Sequence, residues 1–162
     1  MIVLPNTNIR VLRPLSELYY FDRQDTCLPE RMTALEAWNA IMSTPQPILK
    51  IAFRIRDAIS SAFGVKRIGG FSGTPCESVS VGQNLDFFLV EHVDDECLVL
   101  TERDRHLDVM TCISIQDKSL SVTSSVCVHN LFGRVYMLPV GIAHRWIVRR
   151  MLGRLRRQSD NS

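Results

Sequence analysis

The stretch Leu107-Asp108-Val109-Met110-Thr111-Cys112-Ile113-Ser114-Ile115, the short Gln116-Asp117-Lys118, and Ser119-Leu120-Ser121-Val122-Thr123-Ser124-Ser125-Val126-Cys127-Val128 decide the fold. Both flanks are rich in β-branched residues, and so short a break between them permits only an antiparallel return. The strands are expected to span 105–115 and 119–130. The turn sets their register: if Gln116 faces Ser119, then Leu107 faces Val128, Val109 faces Val126 and Ile113 faces Val122. That face is apolar and has to be covered, and a slip of one residue would send it to the other side. The second face carries Asp108, Met110, Cys112, Thr123, Ser125 and Cys127. It is half polar and is expected to be the outer, solvated face.

Upstream, Leu85–His92 and Cys97–Thr101 flank the acidic turn Asp94-Asp95, and Glu102-Arg103-Asp104 leads into the hairpin, so the strands continue as a meander. Residues 66–84 read as loop. Their Gly69-Gly70-Phe71-Ser72-Gly73-Thr74 lacks the context of a phosphate loop, because Pro75 follows and no Lys-Ser/Thr pair closes it. Further towards the N-terminus the pattern is helical. Thr33-x-x-Glu36 is a capping box that opens a helix with Leu35, Trp38, Ile41 and Met42 on one face. Pro45 and Pro47 stop it, and a second helix follows through Ile48, Ile51, Ile55 and Ile59 to Gly64. Glu17–Asp22 suits a first strand, and residues 1–15 an extended arm. After Gly133, Arg134–Leu138 is expected as a short last strand, and Pro139 as the first turn of a helix running to about Arg157. In that helix Val140, Ile147, Val148, Met151 and Leu155 share one side, and Arg145, Arg149 and Arg156 the other.

The order of elements predicts an α+β domain of helix-grip type: an antiparallel curved sheet wrapped around a long C-terminal helix, with two helices after the first strand. One domain over 16–158 and a disordered tail over 159–162 suit a chain of 162 residues, of which 46% are hydrophobic and 22% charged. The five cysteines are an odd number without a C-x-x-C pair. They are read as small buried hydrophobes in a reducing cytoplasm rather than as a disulfide framework. No apolar run is long enough to span a membrane and the N-terminus does not resemble a secretory signal. The net charge of +2 is unevenly placed: residues 1–117 hold 11 basic and 16 acidic side chains, and residues 118–159 hold 8 basic and none acidic. The arginine block is expected to be a solvated helix face and not a nucleic-acid site, because it lacks interleaved aromatics.

The chain resembles a bacterial family of unknown function within the START-like, helix-grip (SRPBCC-type) superfamily, whose members occur alone or fused behind a short-chain-dehydrogenase-like NAD(P)-binding domain. The resemblance covers most of residues 16–157. It is carried by Tyr19-Tyr20-Phe21-Asp22, by Leu49–Val65, by Asp104-Arg105-His106-Leu107-Asp108, by His129-Asn130-Leu131-Phe132-Gly133-Arg134-Val135-Tyr136, and by Pro139-Val140 and His144-Arg145. It implies the fold and a cavity between sheet and helix for a small apolar or amphipathic molecule. The NAD(P)-binding domain is absent and no G-x-G-x-x-G occurs, so no cofactor is carried over.

The hairpin register places His106 opposite His129 and Asp108 opposite Cys127. These four are the low-ranking candidates for a metal, and the two histidines with Asp108 are candidates for proton transfer. Arg105 and Asn130 share the apolar parity at the hairpin end. Arg105 is expected either to hold a ligand carboxylate or to pair with Asp22, Asp104 or Asp86. His144, one turn into the last helix, is expected to cap it, reach Tyr136 or line the cavity. Tyr20 and Tyr136 offer an apolar ring with a hydroxyl, suited to a pocket or a core edge. The ligand-binding candidates are therefore Tyr20, Arg105, His106, Asp108, His129, Asn130, Tyr136 and His144. A ligand-binding domain is the leading reading; an enzyme built on the His/Asp cluster and a binder of anionic surfaces through the last helix are its rivals.

Overall fold

The computed structural model describes residues 1–28, 30–43 and 72–159. The expected second helix and most of the glycine stretch lie outside the described residues. The described residues form eight strands and two α-helices: β1 (Ile2–Val3), β2 (Arg10–Val11), β3 (Tyr20–Cys27), α1 (Ala34–Met42), β4 (Asn84–Leu85), β5 (Phe88–Val93), β6 (Cys97–Arg103), β7 (Leu107–Gln116), β8 (Ser119–Val128) and α2 (Leu131–Ser159). Strands β3 to β8 form one antiparallel sheet in the order β3-β8-β7-β6-β5-β4. The β7–β8 register is the one the turn dictates, with Gln116 opposite Ser119, Val109 opposite Val126 and Leu107 opposite Val128. Asp117, with φ of 56°, makes the reversal.

The apolar face of the sheet meets both helices. Ile113, Ile115, Leu120 and Val122 pack with Leu98 and Leu100 against Ala37, Trp38 and Ile41 of α1 and Ile147, Val148, Met151 and Leu155 of α2. Helix α1 begins with the anticipated capping box. The Glu36 N–H donates to Thr33 Oγ1 at 3.2 Å, and the Thr33 N–H donates to the Glu36 carboxylate at 2.6 Å.

Three expectations are corrected. First, Arg134–Leu138 is not a strand, and Pro139 does not open the last helix but lies inside it. The helix starts a full two turns earlier because Asn130 caps it: its Oδ1 accepts the Gly133 N–H at 3.0 Å. Second, the outer face of the hairpin is not solvated. Met110, Cys112, Thr123 and Ser125 are at most 1% exposed. Third, their cover is the N-terminal segment, which is more than an extended arm. Strands β1 and β2 pair as a hairpin, and Ile9 and Leu12 pack on Cys97, Val99, Met110, Cys112 and Cys127. The segment is stitched down by polar contacts: the Leu12 N–H donates to Ser125 Oγ at 3.2 Å, the Arg10 N–H meets Cys112 Sγ at 3.3 Å, and Asn8 Nδ2 donates to the Ile115 carbonyl at 3.0 Å. The sheet is thus buried on both sides.

All five cysteines are free, and Cys97, Cys112 and Cys127 are buried. The sulfurs of Cys97 and Cys112 lie 3.8 Å apart beneath the N-terminal segment. A hydrogen bond from Cys97, helped by the Arg10 N–H, holds the Cys112 thiol below its ordinary value, while the same bond and burial push the Cys97 thiol up.

Candidate functional site

The sequence-derived candidates fall into three groups along the junction of sheet and α2. The first lies at the start of β7. Asp104 Oδ1 accepts the N–H groups of His106 at 2.6 Å and Leu107 at 2.9 Å. This local turn interrupts strand alternation just before Leu107. His106 is therefore brought towards the helix: its ring lies 4.5 Å from that of Phe132, and its Nδ1 sits over the Asn130 carboxamide, 3.2 Å from Oδ1. Arg105 Nε donates to His106 Nε2 at 2.9 Å. A guanidinium only donates, so Nε2 accepts, and Nδ1 faces the Asn130 carboxamide, 2.9 Å from its Nδ2 and 3.2 Å from its Oδ1. Asn130 Nδ2 in turn donates to the Arg105 carbonyl at 3.2 Å. The His106 lone pair is used within this network, which anchors the start of α2. Tyr136 continues it by stacking on Phe132, with centroids 6.1 Å apart.

The second group is the pair Asp108 and His129. Its carboxylate and imidazole are 3.1 Å apart, with side chains 21% and 38% exposed. The expected four-residue patch is thus divided. His129 donates its backbone N–H to the His106 carbonyl at 2.8 Å, yet the side chain of His106 joins Asn130 and Phe132, and that of His129 joins Asp108. Among the described residues no three His, Cys, Asp or Glu side chains gather to hold a metal ion.

The third group centres on His144 and lies deeper. Tyr20, Asp22 and Gln24 alternate along β3 on its inner face and bind α2 at one spot. Tyr20 Oη donates to the Gly141 carbonyl at 3.1 Å, the Arg145 Nε to Asp22 Oδ1 at 2.9 Å, and Gln24 Nε2 to the Arg145 carbonyl at 2.9 Å. Gly141 lets the Tyr20 ring lie flat against the helix, since a Cβ there would come within 3.0 Å of it. Burial, and then the Asp22 charge, push the Tyr20 phenol up, against the pull of Arg145. His144 is enclosed by this arrangement. Its Nε2 is 3.2 Å from Ser124 Oγ, and the Tyr20 ring meets it edge-on at 6.1 Å. Burial pushes its imidazole down, opposed by Asp22. Its Nδ1 is sealed from solvent without a hydrogen-bond partner. His144 therefore reaches neither Tyr136 nor the helix cap; it faces a polar row across an otherwise apolar sheet face, in which Asp22, Ser124 and Thr111 are register partners.

Sequence reasoning did not single out Asp22, Gln24, Ser124 or Gly141 as part of the site. The signal for two of them, Asp22 and Gln24, is the alternation Tyr20-x-Asp22-x-Gln24 on a strand facing a helix. Between the first and third groups, Val109, Val128, Tyr136 and Val140 are only partly buried, packed around Leu107, Val126 and Met137. Two turns beyond Val140, Ile147, Val148, Met151 and Leu152 are buried. The helix thus packs tightly on the sheet through its C-terminal half and more loosely through its N-terminal half. Alongside, an open cleft of about 500 Å³ between β3 and α2 carries mixed charge, lined by Asp22, Asp25, Arg145, Arg149 and Arg156.

Fold and site define an α+β protein in which a six-stranded antiparallel sheet closes on one long helix, with a polar row at their junction. The chain belongs to the DUF2867 family, described as a protein of unknown function, whose family model matches residues 14–151. No curated protein and no solved structure matches it. The matched span runs from just before β3 into the second half of α2 and includes all three groups; β1 and β2 precede it. No helix among the described residues is long and apolar enough to cross a membrane.

Proposed function

We propose that this protein binds a small amphipathic molecule between the inner face of the sheet and the N-terminal half of α2, as START-like helix-grip domains do. The observation that carries the reading is His144 Nδ1, a polar atom shut away from water with no partner, beside half-buried apolar side chains. Buried polar atoms are almost always satisfied, and an orphan one calls for a missing partner. A ligand with one polar group and an apolar body supplies that partner to His144 and places its body along Val109, Val128, Tyr136 and Val140. The Asp108–His129 pair is more open to solvent and offers less to hold a substrate, which favours binding over catalysis.

Native mass spectrometry of the purified full chain tests the reading, followed by calorimetric titration with decanoate as the probe. The expected results are a small-molecule adduct lost on collisional activation, and decanoate binding that weakens about tenfold in His144→Leu, the loss of one hydrogen bond to a buried group. A chain found only at its own mass that also fails to bind decanoate, or binds it equally well after His144→Leu, overturns the proposal.

A further inference from the structure

The outer side of α2 is unlike the solvent face of an ordinary amphipathic helix. Leu131, Val135, Leu138, Ile142 and Trp146 are 75%, 58%, 62%, 76% and 48% exposed. Their spacing of three and four residues places all five on one stripe along the helix, and none of them joins the buried clusters of the described residues. Past Trp146 the same stripe continues as Arg149 and Arg156, both exposed. The Arg150 guanidinium lies over the Trp146 ring, 5.3 Å from its centre, at the point where the face changes character. Residues 118–159 contain no acidic side chain, and the two carboxylates that share a cleft with Arg149 and Arg156, Asp22 and Asp25 of β3, are paired with Arg145 and Arg23.

We propose that this face of α2 docks the protein on an anionic lipid bilayer, with the stripe from Leu131 to Trp146 entering the headgroup boundary and Arg149, Arg150 and Arg156 held by lipid phosphates. Helices that lie in a membrane surface combine an apolar stripe with Trp and cationic flanks in this way, and each cation near an anionic surface adds attraction that salt screens. A second copy of the chain fits less well. The stripe is about 22 Å long and about 10 Å wide, or roughly 220 Å² per copy, well short of the ~800 Å² per partner of a stable interface. This inference is independent of the ligand reading, which concerns the opposite side of the same helix.

The test is co-sedimentation of the full chain with vesicles of phosphatidylcholine alone and of phosphatidylcholine mixed with phosphatidylglycerol. Trp146 fluorescence is followed in a Trp38→Phe background. Expected are binding to the mixed vesicles only, a blue shift of Trp146, and weakening by salt. Ile142→Glu is expected to reduce binding by about tenfold or more, as removing one inserted apolar side chain should, while its melting midpoint stays within that of the parent. Replacing Arg149 and Arg156 by Glu should abolish the preference for phosphatidylglycerol. Four results overturn the proposal: no sedimentation with either vesicle; binding indifferent to Ile142→Glu; Trp146 that iodide cannot quench in the free protein, which would mean the stripe is already covered; or an Ile142-dependent dimer in place of lipid binding. Tight binding to duplex DNA at physiological salt, with no binding to vesicles, overturns it as well and assigns the arginines to nucleic acid.

Discussion

Gly133 rests so closely against the backbone of His106 that a Cβ built on it would lie 2.5 Å from the His106 carbonyl oxygen and 3.4 Å from the Val128 Cβ. The N-terminal turn of α2 and the start of β7 therefore touch main chain to main chain. Gly133→Ala has to move one of them. Overpacking of this kind costs about 1–3 kcal/mol, against a gain of at most ~1 kcal/mol in helix propensity. The expected outcome is a lower denaturant midpoint at unchanged m-value. A midpoint that rises would show that the helix start does not bear on His106.

The depressed pKa of His144 has a pH signature. The folded protein holds this ring neutral while the unfolded chain protonates it near pH 6.5. Below that pH the unfolded state binds more protons, so stability falls with pH, by at most about 1.4 kcal/mol per pH unit for a single site. Its contribution is fully present above pH 6.5 and is lost as pH falls towards the folded-state value. Urea titrations of the parent and of His144→Phe across this range should differ in slope, the variant being flatter. Parallel curves would contradict the burial of His144.

Ile147 and Ile142 sit five residues apart on one helix with opposite fates, 8% and 76% exposed. Ile147→Asp places a carboxylate in the main core beside Ile113 and Val122. It is expected to cost more than about 3 kcal/mol. Ile142→Asp should change the circular-dichroism melting midpoint little. Equal effects would remove α2 from the core and the sheet-on-helix architecture with it.

Thiol accessibility follows the packing of the N-terminal segment. Cys27 is exposed, while Cys97 and Cys112 are 2% and 0% exposed beneath Ile9 and Leu12. An aromatic disulfide reagent should label Cys27 at once and the buried pair only as the segment opens, with Ile9→Ala accelerating the slow phase. If mass mapping found Cys97 and Cys112 labelled as fast as Cys27, the segment would not be docked.

Much of this arrangement is legible in the chain, and the exceptions have physical causes. The β7–β8 register follows from a single turn because apolar residues on one face leave no other pairing. The α1 start follows from Thr33 and Glu36. The start of α2 is masked in the chain because Arg134–Leu138 contains β-preferring residues and Pro139 is a common helix opener; the stronger signal is Asn130 three residues before Gly133. The burial of the outer face is masked because Ser, Thr and Cys alternate there as a solvated face would. Cys112, Thr123, Ser125 and Cys127 nevertheless carry no charge, and a face meant for water would. His106 departs from its expected face because the Asp104 side chain turns the backbone two residues earlier, a local contact that strand parity does not contain. The role of His144 required knowing that Tyr20, Asp22 and Gln24 lie across from it, more than a hundred residues away in the chain.

The N-terminal segment that covers the sheet also sets an order of events during synthesis. Asn8 is held by the carbonyl of Ile115, and Leu12 by Ser125, across 107 and 113 residues. This segment is made before the sheet and is therefore among the last to dock, since its seat does not exist until β6, β7 and β8 have been made and paired. Contacts of such separation slow folding. Until they form, Val99, Met110 and Cys112 stand open on the back of a nascent sheet, a period in which pairing with another chain competes with closure. Residues 1–12 thus act in cis as the protection for that surface.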